Sequence, residues 1–411
     1  MAEGDHLYNC YAPAPQEFIR GEGPYLFTKE GDRYLDFIAG IAVNGLGHAH
    51  PKLIEAVKEQ SEKLWHLSNI FRIEGQYELA NKYCQYLDFA EKVFFTNSGA
   101  EAVECAMKTA RRYQHDRGHP ERYEIITFKG AFHGRTFATI NAGGNPNYIN
   151  GFGPELPGFI SLPFGDHEAL KAAISPQTSA IMVEPVQGEG GVRALPLDCL
   201  RGLRELCDKE DLVLIYDEVQ CGAGRTGQLF AYEWAAHLGQ KEGGQAGAEP
   251  DIMATAKGIG GGFPLGACFA REEIAQYMVP GTHGSTYGGN PMAMAVGNAV
   301  FDILTEDGFL EQVQHVSNVM TQQFEGLKDR FSDVVTEIRG KGLLRGLKLT
   351  KDAKAVRGIC LDKGLLVGSA GGNVLRFAPP LIINDQHMHE AVSVLEEVFE
   401  TARALDDVET L

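Results

Sequence analysis

Short runs of β-branched and aromatic residues alternate with longer helix-forming segments through the middle of this chain. The runs that predict strands cover residues 93–96, 124–128, 180–184, 212–217 and 266–270. The segments that predict helices include residues 102–113 and 200–209. This alternation is typical of an α/β fold, in which helices cover a parallel sheet. Because each run leads into a Gly-rich or polar loop, we expect ligand-binding atoms to gather at the carboxyl ends of the strands.

The two ends of the chain differ from this middle part. Residues before about Pro51 are rich in glycine, proline and aromatic side chains, and after about Gly308 the pattern becomes helix, strand and helix. We interpret residues 1–50 and 307–411 as one smaller composite domain beside a large domain of residues 51–306. A chain of 411 residues is long enough for roughly two or three domains.

The composition is that of an ordinary globular protein. Hydrophobic residues make up 44% and charged residues 22% of the chain, which argues against a disordered, collagen-like or coiled-coil protein. The 37 Lys and Arg residues against 55 Asp and Glu residues give a net charge of −18. Because binding to nucleic acid or to an anionic membrane needs a basic surface, we expect neither as a partner.

The cysteines and the N-terminal residues predict a cytoplasmic protein. The eight cysteines form no C-x-x-C pair and no dense cluster, which is typical of reduced core residues. The N-terminal sequence MAEGDHLYNC lacks the features of a signal or transit peptide. Apolar runs such as residues 212–216 are too short to span a bilayer.

The first motif with chemical content is TNSGAEAVECAMK at residues 96–108, where a predicted strand leads directly into a helix. The small residues Ser98, Gly99 and Ala100 leave backbone N–H groups bare at the helix start, which favours binding of a phosphate. The alternative is an ordinary N-cap by Ser98 with Glu101 as its capping-box partner. Taken alone, this motif favours the cap.

The second motif places Asp217 and Glu218 at the end of the most apolar predicted strand. A buried carboxylate there is costly unless a partner neutralises it. The protonated ring nitrogen of a bound heterocycle is one such partner, and Asp217 would raise the proton affinity of that nitrogen. The alternative is that Asp217 caps the following turn, and this segment alone favours neither.

The third motif, DIMATAKGIGGGFPLGA at residues 251–267, contains one lysine among small residues. Most lysines are solvated surface charges. The neighbours of Lys257 do not fit an exposed face, and a closed site would lower the pKa of its amine. A neutral amine is able to attack a carbonyl, so Lys257 is a candidate for Schiff-base chemistry.

Three other patterns do not support a site. The string GAFHGRT at residues 130–136 has neither the spacing nor the lysine of a phosphate-binding P-loop. The glycines at 258–262 lack the spacing of a nicotinamide-binding fingerprint. The pairs His48 with His50 and His115 with His119 lack the further ligands that a zinc site needs.

Taken together, the motifs resemble the class III, pyridoxal-phosphate-dependent aminotransferases over nearly the whole chain. The motifs that carry the resemblance, in chain order, are NSGAEA, FHGRT, VEPVQGEGG, DEVQ, AKGIGGGFPLG and HGSTYGGNP. The segments 34–51 and 371–381 look most like the acetylornithine and succinylornithine aminotransferase branch. The resemblance implies fold type I, with a mainly parallel seven-stranded sheet in the large domain and a smaller α+β domain formed from both chain ends.

For the cofactor, Lys257 resembles the lysine that holds the aldehyde of pyridoxal phosphate, and Asp217 resembles the partner of its ring nitrogen. The residues that resemble the other cofactor contacts are Ser98, Gly99 and Ala100 at the phosphate, Phe132 stacked on the ring, Gln220 near the phenolic oxygen, and Thr286. The family's counterpart of Thr286 reaches the phosphate of the neighbouring subunit. The resemblance therefore implies a homodimer with shared active sites.

For the substrate, Arg135 and Arg376 resemble the carboxylate binders of the family. Glu189 resembles a switch that pairs with Arg376 for one substrate and releases it for the other. Tyr11 resembles a tyrosine at the substrate entrance, and Ser285, in the same HGST motif as Thr286, is a further candidate substrate contact. Glu184, at the end of a predicted strand, is interpreted as a scaffold residue.

The departures from the family pattern are small. Val103 replaces a usual Asn and Cys221 a common Thr, and the polar, Gly-rich stretch at residues 239–250, predicted to be an exposed loop, is longer than usual. The resemblance implies transfer of the terminal amine of N-acetylornithine, or a close acylornithine, to 2-oxoglutarate. Ornithine, succinylornithine and 4-aminobutyrate are alternative donors, and a decarboxylase or aminomutase of the same fold is a further alternative.

Overall fold

The computed structural model describes residues 6–235 and 247–408 of the chain. The predicted exposed loop at residues 239–250 therefore lies outside the described residues except for its last four positions. The strands, numbered β1 to β17 in chain order, are Phe18–Glu22, Tyr25–Thr28, Arg33–Asp36, Lys92–Thr96, Glu124–Phe128, Phe159–Leu162, Thr178–Val183, Val186–Gln187, Arg193–Ala194, Val213–Asp217, Ile252–Thr255, Gly266–Ala270, Val335–Lys341, Leu344–Leu349, Leu365–Leu366, Gly368–Ala370 and Val374–Phe377.

The described α-helices are numbered in the same way. Helices α1 to α13 are Ala39–Ala42, Pro51–Ser61, Glu74–Tyr86, Gly99–Asp116, Phe137–Gly143, Pro146–Ile149, His167–Ala173, Leu197–Glu210, Glu272–Ala275, Pro291–Leu304, Phe309–Arg330, Ala353–Asp362 and Asp385–Ala402. A short 3₁₀ helix covers Lys257–Gly260. Helices α4 and α8 contain the two helices predicted from the sequence.

A seven-stranded sheet forms the centre of the molecule, in the order β4-β12-β11-β10-β7-β5-β6. Strand β12 runs antiparallel to both of its neighbours, and the other pairs are parallel. The five strands predicted from apolar runs are all members of this sheet, within two residues of the predicted bounds. Strands β6 and β11, of four residues each, were not predicted from the sequence.

The central strands are buried on both faces. Every residue of β7 and β10 is buried, which explains why both read as continuous apolar runs rather than as alternating patterns. Helix α4 packs its apolar stripe, including Ala102, Ala106 and Ala110, against the sheet.

The buried cysteines are Cys105, Cys207, Cys221, Cys268 and Cys360, whereas Cys10 is exposed. The predicted core position is therefore wrong for Cys10.

Two smaller sheets lie outside the central one. The first has the order β1-β2-β3-β15 and joins the two ends of the chain, because β15 pairs in parallel with β3. The second has the order β13-β14-β17-β16 and comes entirely from the C-terminal part. This pairing accords with a composite smaller domain. Its predicted boundaries at residues 50 and 306 remain our proposal.

The most apolar long helix is α10, and almost all of its residues are buried. Its 14 residues give a length of about 21 Å, which is shorter than the ~30 Å hydrocarbon core of a bilayer. Among the helices of residues 6–235 and 247–408, none is both long and apolar enough to cross a membrane.

Candidate active site

The candidate residues of the three motifs meet at one edge of the central sheet. All of its strands except β12 point the same way, so their carboxyl ends lie at a common edge. Strand β4 leads into Ser98, β7 into Glu184 and β11 into Lys257, while β10 ends at Asp217. The structure therefore places these residues at the carboxyl ends of the strands, where the sequence led us to expect ligand-binding atoms.

Lys257 begins the 3₁₀ helix in a strained backbone conformation. Its φ is +50°, in the left-handed region that a residue with a β-carbon rarely adopts. Burial lowers the pKa of the Lys257 amine, while the nearby carboxylates of Glu189 and Asp217 act in the opposite direction. Strain of this kind persists where the surrounding structure enforces it, often at functional sites.

Asp217 is buried and held by two hydrogen bonds. Its Oδ2 lies 2.7 Å from Nδ1 of His133, and its Oδ1 accepts a hydrogen bond of 3.0 Å from the backbone N–H of Val219. Nε2 of His133 is buried and has no hydrogen-bond partner among the described residues. His133 was not among the residues predicted from the sequence, although it stands between Phe132 and Arg135 in the FHGRT motif. That position was the only signal available.

The first turn of α4 lies against the loop that follows Asp217. Ser98 caps the helix by accepting a hydrogen bond of 3.3 Å from the N–H of Glu101, so the predicted cap is confirmed. The predicted capping box is wrong, because the Glu101 carboxylate accepts a hydrogen bond from the N–H of Asn97 instead, at 2.6 Å. A β-carbon on Gly99 would lie 2.6 Å from Cγ1 of Val219. Only glycine therefore fits this helix start without a shift.

The amides of this first turn are available to an anion. The N–H groups at a helix start have no carbonyl of their own helix four residues back. Gly99 and Ala100 hold two such groups, and the positive end of the helix dipole adds to their attraction. The cap and the phosphate site are thus compatible, because the Ser98 side chain occupies only the N–H of Glu101.

Arg376, Glu189 and Gln220 form a connected polar group. Nη1 of Arg376 pairs with Oε1 of Glu189 and donates a hydrogen bond of 3.2 Å to Oε1 of Gln220. Nε2 of Gln220 donates to Oε1 of Glu189 at 3.3 Å. The side chain of Arg376 is 3% exposed, whereas that of Glu189 is 30% exposed. The Arg376 guanidinium contributes to holding the pKa of Glu189 below its usual value, against the effect of burial.

The segment after β5 presents Phe132 and Arg135. The carboxylate of Glu184 accepts a hydrogen bond of 3.0 Å from the backbone N–H of Phe132. Arg135 is exposed, and its guanidinium lies 3.8 Å from the ring centre of Tyr148 and 5.5 Å from that of Phe132. Burial and the Asp217 charge raise the pKa of Glu184. These contacts accord with the interpretation of Glu184 as a scaffold residue.

The remaining candidates lie at the surface of the described chain. Ser285 accepts a hydrogen bond of 3.3 Å from Nδ2 of Asn97, so the HGST segment lies beside the start of α4. Thr286 is exposed in the same segment. Tyr11 is 89% exposed, and no described contact joins it to the other candidates.

The two single-residue departures from the family pattern, Val103 and Cys221, are packing residues. Val103 is fully buried in α4. Cys221 is 1% exposed, and its thiol lies 3.7 Å from Oε2 of Glu218. That carboxylate accepts hydrogen bonds from the N–H groups of Ala231 and Tyr232. Both departures therefore concern the support of the site.

Comparison with known proteins extends this picture. A family model described as aminotransferase class-III matches residues 11–399. The acetylornithine aminotransferase 2 of Caulobacter vibrioides is 56% identical over 400 residues, which cover 97% of this chain and 96% of that protein. The acetylornithine aminotransferase of Agrobacterium fabrum is 55% identical over 390 residues, which cover 95% of each chain.

Solved structures give the same family. The ornithine aminotransferase from Toxoplasma gondii superposes with a TM-score of 0.88 at 30% identity, covering 97% of this chain and 93% of that one. The N-acetylornithine aminotransferase from Stenotrophomonas maltophilia has a TM-score of 0.82 at 35% identity, covering 95% and 97%. The expected fold type I is confirmed. The chain is a member of the class III aminotransferases.

Proposed function

We propose that this enzyme transfers the terminal amino group of N-acetylornithine, or of a close acylornithine, to 2-oxoglutarate, giving the semialdehyde and glutamate. The observation that carries this proposal is that Lys257 and Asp217, at the edge of the central sheet, lie near the Arg376–Glu189 pair. The curated relatives that are 55–56% identical over nearly the whole chain are named acetylornithine aminotransferases, which supports this donor. We further propose that the enzyme acts in arginine metabolism in the cytoplasm.

The side chains at this edge fit pyridoxal 5'-phosphate, the cofactor of the family. The buried Asp217 carboxylate suits a protonated ring nitrogen. The first-turn amides of Gly99 and Ala100 suit a phosphate. Lys257 supplies an amine whose pKa is lowered by burial, as bonding to an aldehyde requires. When bound, the cofactor supplies an electron sink for the charge left by proton removal from the substrate carbon.

In this proposal Lys257 moves the proton. In its neutral form, Nζ accepts the proton from the amine-bearing carbon of the donor. In the second half-reaction Nζ donates a proton to the carbon of 2-oxoglutarate that receives the amine. Asp217 is held in position by the ring of His133 and by the hydrogen bond that it accepts from the Val219 N–H. Phe132 is proposed to cover the ring of the cofactor and Gln220 to approach its phenolic oxygen.

Two arginines are proposed to bind the carboxylates of the substrates. Arg135 is exposed and stacks on Tyr148, which leaves donors of its planar guanidinium for a carboxylate. Arg376 is paired with Glu189, and this pair is proposed to open when the dicarboxylate 2-oxoglutarate binds. With the acylornithine donor the pair stays closed. Tyr11 is proposed to close the entrance of the site.

The donor is identified by assaying the purified enzyme with N-acetylornithine, N-succinylornithine, ornithine and 4-aminobutyrate, each with 2-oxoglutarate. We expect the highest kcat/KM with N-acetylornithine. Ornithine is the second candidate, because the Toxoplasma gondii ornithine aminotransferase superposes over nearly the whole chain. The absence of turnover with all four donors overturns the proposal. Carbon dioxide or an isomer formed without loss of the keto acid indicates a decarboxylase or an aminomutase.

The role of Lys257 is tested by Lys257→Ala. We expect this variant to lose turnover, because no other amine is proposed to move the proton. Lys209→Ala is the control, since the side chain of Lys209 is 76% exposed. Full activity of Lys257→Ala contradicts the mechanism.

We also propose that a second copy of the chain completes the site. Trp65, Ile70 and Phe71 are 66%, 81% and 60% exposed, and exposed apolar clusters of this kind mark interaction surfaces. Nδ2 of Asn69 donates a hydrogen bond of 3.1 Å to the backbone oxygen of Ser285. The apolar surface is therefore continuous with the HGST segment.

The homodimer is tested by the double variant Ile70→Asp and Phe71→Asp. We expect the wild-type protein to sediment as a dimer and the double variant as a monomer with little activity, because Thr286 would no longer reach the site of the other subunit. Ile19→Asp is the control, since Ile19 is exposed to a similar extent, 63%. A fully active monomer contradicts the shared site.

A further inference from the structure

A second group of reactive side chains lies on the face of the sheet that α4 covers. A cleft of about 560 Å³ is lined by Cys105 and Thr109 of α4, by Cys268 of β12, by Phe94 of β4 and by His283. This volume is far larger than one water molecule needs. The proposed transamination uses neither of the two cysteines.

Strand β12 and helix α4 each contribute one of the two thiols to the lining of this cleft. Cys268 is the direct cross-strand partner of Phe94, so their side chains point to the same face. The ring of Phe94 lies 4.8 Å from the ring of His283. Cys105 lies above them on α4, with its sulfur 4.0 Å from Oγ1 of Thr109. The two cysteines are 3% and 4% exposed and both are free.

Hydrogen-bond donors around Cys105 favour a thiolate. Nζ of Lys108 lies 2.8 Å from Nδ1 of His283. An ammonium group only donates, so Nδ1 is the acceptor and Nε2 of His283 carries the ring proton. Hydrogen bonds from Cys268 and His283 lower the pKa of Cys105 to about 6, despite the opposing effect of burial. A lowered thiol pKa is typical of reactive cysteines.

The other buried cysteines contrast with this site. Burial raises the pKa of Cys207, of Cys221 and of Cys360, the last to about 12. The partner thiol Cys268 also has a raised pKa, because it lies beside Cys105. One member of the pair is therefore ionised while the other keeps its proton, as in a dithiol with an attacking and a resolving sulfur.

We propose that Cys105 and Cys268 form a thiol pair that low-molecular-weight disulfides oxidise, with Cys105 as the attacking thiolate. Its sulfur attacks one sulfur of the reagent and releases the first thiolate. Cys268 then loses its proton, its sulfur attacks Cys105 in the mixed disulfide, and the second thiolate leaves. The protein loses two electrons, and the reagent disulfide is reduced to two thiols.

The pair joins elements that carry the cofactor site. Cys105 belongs to the helix that Ser98 caps, and β12 begins at Gly266, where an added β-carbon would lie 2.6 Å from the Ser98 carbonyl oxygen. His283 stands two residues before Ser285. The cleft therefore adjoins the segment proposed to reach the partner subunit, and the test must use the assembled holoenzyme.

The test incubates full-length holoenzyme carrying Cys10→Ser with oxidised glutathione, followed by peptide mapping. We expect a Cys105–Cys268 disulfide that dithiothreitol reverses. With Cys268→Ser added, glutathione should remain bound to Cys105. With Cys105→Ser added, neither product should form. Cys207 in the same digest is the internal control and should stay unmodified.

A second measurement needs no substitution in the pair. The rate of Cys105 alkylation by iodoacetamide should rise with pH around a midpoint near 6, whereas Cys360 should stay unreactive through neutral pH. The proposal is overturned if Cys105 reacts no faster than Cys207 or Cys360 in the holoenzyme. It is also overturned if oxidised glutathione leaves Cys105 and Cys268 unmodified.

Discussion

At the scale of single residues, the active site depends on groups that are buried with few partners. The carboxyl group of Asp217 contacts one histidine ring and accepts a hydrogen bond from one backbone amide. The role of His133 could not be predicted from its motif, because nothing in GAFHGRT indicates that its ring contacts Asp217, which lies 84 residues away in the sequence. A buried histidine in contact with a buried carboxylate is a positioning residue, since it acts on the chemistry through Asp217.

We predict that His133→Ala lowers kcat by about ten- to hundredfold. Loss of a hydrogen bond to a buried charge costs about 1–3 kcal/mol, and ~1.4 kcal/mol is a factor of ten in rate. The KM for the amino donor should change little, because His133 is not proposed to touch it. His133→Asn should restore part of kcat, since its amide N–H can donate to Asp217.

The control for this prediction is His115→Ala. The ring of His115 is 62% exposed, so steady-state kinetics should match the wild type. A kcat of His133→Ala equal to that of His115→Ala contradicts the positioning role.

Glu218 gives a prediction for stability against pH. Burial raises the pKa of this carboxyl to about 7 from the usual 4.5, and hydrogen bonds from Ala231 and Tyr232 only partly oppose it. Between these two values the folded state binds more protons than the unfolded state, so stability falls as pH rises. We expect the Tm of the wild type minus the Tm of Glu218→Gln to be more positive at pH 5 than at pH 8.

The matched control is Glu306→Gln. The side chain of Glu306 is 60% exposed, so this substitution should change Tm equally at both pH values. If Glu218→Gln behaves in the same way, Glu218 does not carry the pH dependence.

At the scale of elements, the start of α4 combines a local signal with a tertiary contact. The Ser98 cap follows from the residue type and its position, and the sequence predicted it. The close approach of Gly99 to Val219 does not follow from local sequence, because strands β5, β6, β7 and β10 of the central sheet lie between the two residues along the chain. The helix start is thereby held against the loop that follows Asp217.

We predict that Gly99→Ala weakens binding of pyridoxal phosphate about tenfold. The new β-carbon would lie 2.6 Å from Cγ1 of Val219, so the first turn must move and its amides are disturbed. A tenfold loss of affinity corresponds to a binding free energy that is weaker by ~1.4 kcal/mol. The measurement is a cofactor titration of the apoenzyme.

The control is Gly202→Ala in α8. An added β-carbon there meets no atom within 4 Å, so cofactor affinity should be unchanged and stability should rise by up to about 1 kcal/mol. Equal cofactor affinity in the two variants contradicts the proposed cradle.

At the scale of the whole molecule, a buried arginine connects the central part to the C-terminal strands. Arg225 is 2% exposed, and its Nη1 donates hydrogen bonds to the backbone oxygens of Leu343 and Pro379. Its own backbone oxygen accepts a hydrogen bond of 2.9 Å from the N–H of Leu343. Burial lowers the pKa of Arg225 to about 9.

We predict that Arg225→Leu lowers the free energy of unfolding by about 2–4 kcal/mol, because it leaves two buried carbonyl groups without a donor. Thermal and urea unfolding followed by circular dichroism measure this loss. Arg20→Leu is the control, since the Arg20 side chain is 55% exposed; it should shift stability by at most about 0.5 kcal/mol. A similar effect of both substitutions contradicts the bridging role.

The sequence by itself determined the fold class, the main strands of the central sheet and the cap of α4. These features depend on local patterns, because hydrophobic periodicity and residue type act over a few neighbouring positions. The short strands β6 and β11 were not predicted. The motifs also identified Lys257 and Asp217 as candidates, since each is a polar residue in apolar or small surroundings.

Only the tertiary structure decided which candidates meet. The order of the strands in the sheet brings His133 to Asp217, and the pairing of Arg376 with Glu189 joins residues 187 positions apart. The tertiary structure also brings Cys105 and Cys268 to one cleft, and it lowers the pKa of Lys257 by burying its amine. Such contacts depend on how distant elements pack, and no local pattern in a single sequence records that packing.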